Sequence, residues 1–317
     1  MQFQTLDGVT NIVKRIARPL RLFQRNLAVR RYNRITQNGR LVHFDTKLFI
    51  REQYRLTFGR YPDLTNPMTY NEKLQWLKLY WRDPLAQQCV DKYGVRDYII
   101  SHVGEKYVPE LYGVWNDPNA IDWQILPERF VLKSTHASGH VIVCRRKDQC
   151  DTQSCLQRMR EWLNVDYFAV AGEWPYRNLP RRIICEELIG ADNAMLPRDF
   201  KIMCFNGRPK LIFVVSDREN TLKVDFFDFD WNLLPFTRNH PNSSRQQQKP
   251  TLLKQMLDIA AQLSAPFPHV RVDFYYEQGR LLVGELTFFP GGGLEPFSPN
   301  IYDRIVGSYL TLPPRNR

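Results

Sequence analysis

Long apolar segments and paired cysteines are both missing from this 317-residue sequence. No apolar run approaches the roughly 20 residues that a membrane-spanning helix needs. The start of the chain also lacks the apolar core of a signal peptide, so we expect a cytoplasmic protein. None of the six cysteines forms a C-x-x-C pair, and no histidine stands at zinc-finger spacing. The cysteines are therefore expected to be free thiols in a reducing compartment.

Internal repeats and low-complexity tracts are absent as well, and 43% of the residues are hydrophobic. A chain of this length and composition can bury one large core or several smaller ones. Aromatic residues, at 13%, argue against disorder. Helical patterns occupy residues 46–105, strands with one helix occupy 106–190, and mainly strands occupy 191–317. Helices and strands in such blocks indicate an α+β protein.

The helical patterns have recognisable ends. Thr69 is an N-cap, and Glu72 stands at capping-box spacing. A second helix is predicted from about Pro84 to Ser101, and residues 166–180 read as a loop. The remaining predicted helices cover residues 151–165 and about 250–263.

Acidic residues are nearly missing from residues 8–46, where Asp45 is the only one. Nine Lys and Arg residues fall between residues 8 and 44, although the net charge of the whole chain is only +11. Residues 1–45 are therefore predicted to be a basic amphipathic arm. Such an arm can lie on an anionic membrane surface through residues 10–40, or dock on its own domain. Nucleic acid is not an expected partner, because the rest of the chain has no basic stripe.

A β-hairpin near the C-terminus carries two carboxylates. The alternation predicts strands over His269–Tyr276 and Leu281–Phe289. A three-residue turn would place Asp273 opposite Val283, with Glu285 diagonally beside Asp273 on the same face. A two-residue turn would separate the carboxylates onto opposite faces. Two close carboxylates suit Mg²⁺, whereas the alternative is a pair of solvated strand residues.

A small-residue loop joins two apolar runs in FVLKSTHASGHVIV. Lys133 ends the first run, and the loop offers hydroxyls and backbone N–H groups that can fold over phosphates. The Walker pattern is absent, so the alternative is an ordinary hairpin with a surface lysine. The residues predicted to serve this loop are Lys133, Ser134, Thr135, His136, Ser138 and Gly139.

Two further segments can serve a nucleotide. RRIICEELI ends an apolar strand at Glu186 and Glu187, where the backbone can hydrogen-bond adenine. In DFKI, Asp199 and Lys201 alternate with apolar residues and point to one face. Asp199 could take a ribose hydroxyl and Lys201 a phosphate.

The order of these segments resembles the ATP-grasp superfamily, which includes D-alanine–D-alanine ligase. The sequence is most similar to the TupA-like branch, found in gene sets for cell-surface polysaccharides. The segments that carry the likeness are NPMTYNEKLQWLKLY at 66–80, FDFDWNLLPF at 227–236 and FFPGGG. The resemblance covers roughly residues 60–310. It implies an ATP-grasp fold, in which two α+β lobes at residues 106–190 and 191–317 hold the nucleotide, with a helical region at 46–105.

The resemblance also implies roles for single residues. Arg96, or Lys92 in its place, and Lys133 would bind phosphate, and Asp199 the ribose. Arg271 would steady the tetrahedral intermediate. Thr287 stands where the family usually has an Asn ligand, which puts a second metal in doubt. The remaining implied roles are adenine binding by Glu186, Glu187, Leu188 and Ile189, metal binding by Asp273 and Glu285, and N–H donation to the acyl oxygen by Gly291, Gly292 and Gly293.

The activity implied by the resemblance is an ATP- and Mg²⁺-dependent carboxylate–amine ligase, with Mn²⁺ as a substitute ion. Its acceptor would be a carboxylate such as a uronic acid on a glycan, a sugar nucleotide or a lipid-linked precursor, and its amine an amino acid. One alternative is a glycosyltransferase that uses the D-x-D sequence Asp228-Phe229-Asp230. The other is a non-catalytic protein that binds membranes or anionic polymers through its arm.

Overall fold

The computed structural model describes residues 45–190, 198–216, 221–277 and 279–315. The predicted basic arm and its membrane contact fall outside these residues, apart from Asp45. Within them, the helices are α1 (Thr46–Phe58), α2 (Tyr70–Tyr80), α3 (Pro84–Val90), α4 (Gly94–Val103), α5 (Thr152–Leu163), α6 (Tyr167–Ala171), α7 (Leu253–Ser264) and α8 (Ile301–Ser308).

The strands of the described residues form three sheets. A four-stranded sheet, called sheet A, has the order β1-β4-β2-β3, and a five-stranded sheet, called sheet B, has the order β10-β9-β5-β6-β7. All their pairs are antiparallel. The strands are β1 (Leu111–Trp115), β2 (Phe130–Ser134), β3 (Val141–Cys144), β4 (Ile183–Glu187), β5 (Arg198–Phe205), β6 (Arg208–Ser216), β7 (Lys223–Phe227), β8 (Thr237–Arg238), β9 (His269–Glu277), β10 (Arg280–Thr287) and β11 (Phe297–Ser298). Strands β8 and β11 form the third sheet.

The predicted capping box at the start of α2 is confirmed. The Thr69 hydroxyl accepts from the Glu72 backbone N–H at 3.2 Å, and the Glu72 carboxylate accepts from the Thr69 N–H at 3.2 Å. This reciprocal pair satisfies two N–H groups that the helix itself leaves without partners. The start of α2 was therefore readable from four residues.

The single helix predicted from Pro84 to Ser101 is wrong, because the chain forms α3 and α4 with a break at Asp91. Asp91 is extended, and its carboxylate accepts from the N–H groups of Tyr93 and Gly94 at 2.9 and 2.8 Å. These bonds stabilise a turn that competes with a continuous helix. The loop predicted for residues 166–180 is also partly wrong, since it contains α6 and a short 3-10 helix at Trp174–Tyr176.

Two hydrophobic cores correspond to the two larger sheets. One lies between sheet A and α5 and includes Phe130, Leu132 and Met159. The larger core joins sheet B to α2, α3, α4 and α7. The predicted alternation of β9 is confirmed, because Val270, Val272 and Phe274 are fully buried on the core side. The opposite face of β9 is left for polar side chains.

The state of the cysteines and the length of the helices bear on two further sequence predictions. All six cysteines are free thiols, as the sequence predicts. No helix in the described part of the chain is long and apolar enough to cross a membrane.

Candidate active site

The β9–β10 hairpin places Asp273 and Glu285 side by side, but not through the predicted turn. Glu277 pairs with Arg280, so two residues, not three, separate the strands. That turn alone would put the carboxylates on opposite faces. A β-bulge between Val283 and Glu285 adds one residue and restores the shared face, so that Glu285 lies directly opposite Asp273.

The added residue in the bulge is Gly284. A Cβ atom at this position would lie 2.6 Å from the ring of Tyr275. Real Cβ atoms do not approach an aromatic ring so closely, so the close packing of the bulge on Tyr275 depends on glycine. The alignment of the two carboxylates therefore rests on a residue with no side chain.

Arg271 joins the polar side chains of the hairpin. Its Nε and Nη2 donate to the two carboxylate oxygens of Asp273, both at 2.6 Å. The same Nη2 lies 3.0 Å from Glu285 Oε1 and 3.0 Å from Thr287 Oγ1. The Thr287 hydroxyl donates to Glu285 Oε1 at 2.9 Å. The structure thus brings together all four residues predicted for the metal and the intermediate.

Lys201 on β5 adds a second cation. It pairs in register with Asp273, and its Nζ contacts Asp273 Oδ2 directly and Asp199 Oδ2 at 2.8 Å. Asp199 is 3% exposed and belongs to the same group of carboxylates. We call Asp199, Lys201, Arg271, Asp273, Glu285 and Thr287 the carboxylate cluster.

The charges of this cluster shift the pKa values of its members in different directions. Burial opposes ionisation of Glu285, but Arg271, Lys201 and Lys92 outweigh it and lower the pKa to about 2. Burial raises the pKa of Asp273 to about 6, against the attraction of Arg271 and Lys201. Burial also opposes the charged form of Arg271, yet the neighbouring carboxylates raise its pKa. Glu285 and Arg271 therefore stay charged at neutral pH.

The oxygen donors of the cluster fit a magnesium ion that also binds phosphate. No group of three or more His, Cys, Asp or Glu side chains in the described ranges forms a complete metal site. Asp273, Glu285 and the Thr287 hydroxyl supply an incomplete set of hard oxygens on one face. Mg²⁺ usually takes one or two carboxylates and completes its shell with water and substrate phosphates. The Glu285 side chain is 40% exposed, whereas that of Asp273 is 4% exposed, so Glu285 is the more accessible carboxylate.

A second polar group lies on sheet A, where Glu186 bridges two cations. Its Oε2 lies 2.7 Å from Lys133 Nζ, and its Oε1 lies 3.1 Å from Arg96 Nη1. Burial opposes the charge of Lys133, but the ion pair with Glu186 outweighs it and raises the pKa of the lysine. We call Arg96, Lys133 and Glu186 the cation cluster. The sequence assigned Glu186 only a backbone role, so this bridge was missed.

Lys92, the alternative to Arg96, contacts the loop after β2. Its backbone N–H donates to Thr135 O at 3.0 Å, and its ammonium group donates to Ala137 O. Burial lowers the pKa of Lys92, against the attraction of Glu285 and Glu186. Lys92 and Arg96 therefore occupy different places, one at the loop and one at Glu186.

Only the tip of the predicted phosphate loop is exposed to solvent. Ser134, Thr135 and His136 are buried, whereas Ser138 and Gly139 are exposed. The imidazole of His140 contacts the Ser134 hydroxyl at 2.9 Å. The buried part of the loop is packed against α5, since His136 Nε2 donates to Trp162 O at 3.2 Å and the His140 ring stacks on Trp162. The hydroxyls of Ser134 and Thr135 are thus not placed as the sequence predicted.

The predicted adenine segment links the two sheets. The Glu187 carboxylate accepts two hydrogen bonds, at 2.6 and 2.7 Å, from the Arg280 guanidinium at the start of β10. It also accepts from the Glu110 N–H at 2.8 Å. Leu188 and Ile189 follow the strand and are half-buried. Their adenine contact stays a prediction.

Three consecutive glycines form the predicted oxyanion loop, with φ angles of 59°, 64° and 62° at Gly291–Gly293. Helix α2 holds this loop by its carbonyls, because Gln75 Nε2 donates to Gly293 O at 2.8 Å and Lys78 Nζ donates to Gly292 O at 2.8 Å. The Gly292 N–H donates to Phe289 O at 2.8 Å. That N–H is therefore occupied within the 3-10 turn of Pro290–Gly293, and the oxyanion role of this loop stays a prediction.

A cavity of about 580 Å³ adjoins the carboxylate cluster. Arg271, Glu285 and Thr287 line one side, and Gly291 and Gly292 line another. Helices α1, α2 and α6 and residues 294–296 supply further walls. A volume of this size accommodates a small organic substrate next to the predicted metal ligands.

The D-x-D sequence does not resemble a metal site in this structure. It follows β7 in a turn, not on a strand, and the Asp228 carboxylate accepts from Asn232 N and Nδ2 at 2.8 and 2.9 Å. Asp228 is therefore used to stabilise the turn, which explains it without a sugar-nucleotide partner.

A family model described as "TupA-like ATPgrasp" matches residues 72–311, well over half of the chain. The chain belongs to the TupA-like ATP-grasp family. The fold is an α+β ATP-grasp fold, as the sequence predicts. Comparison with curated protein sequences gives no significant match.

Solved structures of ATP-grasp ligases are similar at low identity. D-Alanine–D-alanine ligase from Bacillus anthracis has 16% identity and a TM-score of 0.41 over 63% of this chain and 57% of that one. The enzyme from Helicobacter pylori has 12% identity and a TM-score of 0.39, over 76% and 69%. The ligase PsnB, complexed with minimal precursor, Mg and ADP, has 13% identity and a TM-score of 0.37, over 75% and 65%. The TupA-like chain thus spans less than two thirds of the first of these structures.

Sequence reasoning missed the polar residues that support the TupA-like site. Asn71, Gln75 and Lys78 are all buried on one side of α2. The last two hold the glycine loop, and the Asn71 side chain donates to Glu295 O at 3.1 Å. The signal was available, because polar residues recur at helical spacing beside the apolar stripe of α2.

Proposed function

We propose that this protein is an ATP- and Mg²⁺-dependent ligase that joins a carboxylate to an amine through an acyl phosphate. The observation that supports it is the approach of the two clusters. Ser138, at the tip of the loop that follows Lys133, lines the same cavity as Arg271, Glu285 and Thr287 of the carboxylate cluster. The charges of Lys92 and Glu285, and of Lys133 and Glu285, attract each other across this space. One side offers cations to phosphate oxygens, and the other offers carboxylates to a divalent ion.

The proposed chemistry brings two anions together, so the site has to neutralise charge. Lys92, Lys133 and Arg96 would hold the phosphates of ATP, while bound Mg²⁺ would supply Lewis-acid charge neutralisation. Arg271 would stabilise the oxyanion that forms when the amine attacks the acyl carbon. Removing one such donor typically costs about 3 kcal/mol of barrier. Arg271 suits this role because it lines the cavity and remains protonated.

We further propose the substrates from the setting of the family. The acceptor is a uronic acid or similar carboxylate on a glycan, a sugar nucleotide or a lipid-linked precursor of surface polysaccharide. The amine is an amino acid or another primary amine. Residues 10–40 would hold the protein at the inner face of an anionic membrane, where lipid-linked acceptors are found.

A screen of ADP release tests the reaction type. Uronic acids are combined with amino acids in the presence of ATP and Mg²⁺, and ADP release should require both an acid and an amine. Asp273→Asn and Glu285→Gln should abolish that release, whereas Glu277→Gln, on the same strand outside the cluster, should not.

Two outcomes would contradict the proposal. ADP release that persists in both carboxylate variants would remove the metal role of the hairpin. Wild-type protein that consumes a sugar nucleotide without ATP would favour a glycosyltransferase instead.

A further inference from the structure

Helix α1 forms a wall of the 580 Å³ cavity, although it lies outside the residues that the family model matches. A substrate that fills the cavity and reaches Arg271 would therefore contact α1. The residues of α1 that line the cavity are Phe49, Ile50, Gln53, Leu56 and Thr57.

Contacts near the start of α1 and just after its C-terminus fix the position of this helix. After its C-terminus, Arg60 Nη1 lies 2.6 Å from Glu72 Oε1, the carboxylate of the α2 capping box. Near its start, Phe49 and Ile50 pack over Gly172, where a Cβ atom would lie 3.1 Å from the Phe49 ring and 3.4 Å from Ile50. Contacts with the α2 capping box and with Gly172 thus hold α1 in place.

Gln53 is the unusual member of this wall. It is only 4% exposed, and its Nε2 is buried without a hydrogen-bond partner among the described residues. Its neighbour Thr57 donates to the Gln53 backbone carbonyl, at 2.9 Å, and not to the side chain. A buried amide without a partner destabilises a fold, so such groups call for an explanation. Gln53 lines the cavity, and rotation of its terminal amide would turn Nε2 toward a ligand there. A ligand that supplies the missing acceptor provides an explanation for the unpaired group.

We propose that Gln53 is a specificity-determining residue that donates a hydrogen bond to an oxygen of the substrate, away from the reacting carboxylate. The oxygen is a hydroxyl or a carbonyl, since an amide N–H needs an acceptor and an apolar group would leave it unpaired. The apolar residues of α1 pack beside this contact. The inference rests on the proposed ligase function for the identity of the substrate, but not for the role of the unpaired amide.

Gln53→Leu removes the amide at similar size and gives two readouts. The melting temperature of the ligand-free protein should rise by about 2 °C, because a buried unpaired donor is removed. With D-glucuronic acid as acceptor and L-glutamate as amine, KM for the acid should rise about tenfold. The KM for ATP and kcat should change little. Gln262→Leu, at an exposed glutamine on α7, should change neither readout.

The measurements on Gln53→Leu support or overturn the proposed role of Gln53. A lower melting temperature for Gln53→Leu would mean that the glutamine supports the fold, and would overturn the inference. An unchanged KM for D-glucuronic acid in an active enzyme would overturn it as well. Absence of ADP release from the wild type with every acid and amine would reject the proposed function. In that case the melting temperature alone still supports the role of Gln53 if it rises, and rejects it if it falls.

Discussion

The cation cluster on sheet A and the carboxylate cluster on sheet B share one motif, a buried carboxylate between an arginine and a lysine. Glu186 lies between Arg96 and Lys133, as Asp273 lies between Arg271 and Lys201. The difference is the further carboxylates, Asp199 and Glu285, in the second cluster. Two cations and one carboxylate leave a positive site, whereas two cations and three carboxylates leave a negative one. The same motif therefore favours an anion on one sheet and a cation on the other.

The two clusters also differ in how they are built. The cation cluster joins α4 to two strands of sheet A, so it depends on the packing of a helix against a sheet. The carboxylate cluster lies on three neighbouring strands, β5, β9 and β10. Its geometry depends on register, and one bulge decides whether Asp273 and Glu285 meet.

The largest expected effect separates the two clusters by their function. Asp273→Asn should reduce Mg²⁺-dependent ADP release about 1,000-fold, because several kcal/mol of charge stabilisation through the metal are lost. Glu186→Gln should instead act mainly on ATP binding, since it alters the support of Lys133 and Arg96. Steady-state kinetics at varied ATP and Mg²⁺ measure both. Equal effects on kcat in the two variants would show that the two clusters do not differ in function.

A smaller effect is expected from the cation cluster. Lys133→Met should weaken ATP binding about 10- to 100-fold, as hydrogen bonds to charged groups contribute about 1.5–3 kcal/mol. Titration with a fluorescent ATP analogue measures this. Lys254→Met removes a lysine that is 89% exposed and should leave the affinity unchanged. Unaltered binding in Lys133→Met would remove the phosphate role.

The dependence of the carboxylate cluster on register is tested at Gly284. Gly284→Ala should lower the free energy of unfolding by about 1–3 kcal/mol, because the new methyl group meets the Tyr275 ring. It should also reduce ADP release more than Gly279→Ala, whose methyl group meets open space in a turn at φ 81°. Chemical denaturation and the ADP assay measure the two effects. Full activity in Gly284→Ala would show that the bulge is not needed.

A further expected effect concerns acid stability, which should depend mainly on His269 in sheet B. Burial lowers the pKa of His269 to about 3 and that of His140, beside sheet A, to about 4. His269 is fully buried, with contacts to Tyr70 Oη and Phe288 O. Because the unfolded state binds the proton first, the stability that these histidines contribute is fully present above about pH 6.5. It should fall toward pH 3 by up to about 1.4 kcal/mol per pH unit for each such histidine.

His269→Gln keeps a polar group of similar reach and removes the titration. The slope of unfolding free energy against pH should therefore flatten between pH 6 and 4, as measured by urea denaturation. A slope equal to that of the wild type would mean that His269 is not responsible. His140→Gln, at a half-buried position, should flatten the slope less.

Much of the fold was readable from local patterns. The Thr69–Glu72 spacing marked the start of α2, and the alternation around Val272 identified the buried face of β9. The break at Asp91 was missed, because a side chain that bonds two backbone N–H groups can end a helix within a periodic apolar pattern. In the site, Asp273 and Glu285 were predicted to share one face and do so, but through a bulge and not through the predicted turn. The resemblance, and not the strand pattern, added Arg271 and Thr287 to them.

The sequence by itself determined which residues face the core and which chemistry is available, because side-chain periodicity follows from the geometry of a single helix or strand. Only the tertiary structure decided that Glu186 bridges Lys133 to Arg96, that Gly284 realigns Glu285, and that Gln53 lines the cavity. The first and the last depend on contacts between segments distant in the chain, and the second depends on the pairing of two strands. Their spacing along the sequence carries no information about the distance that packing sets between them.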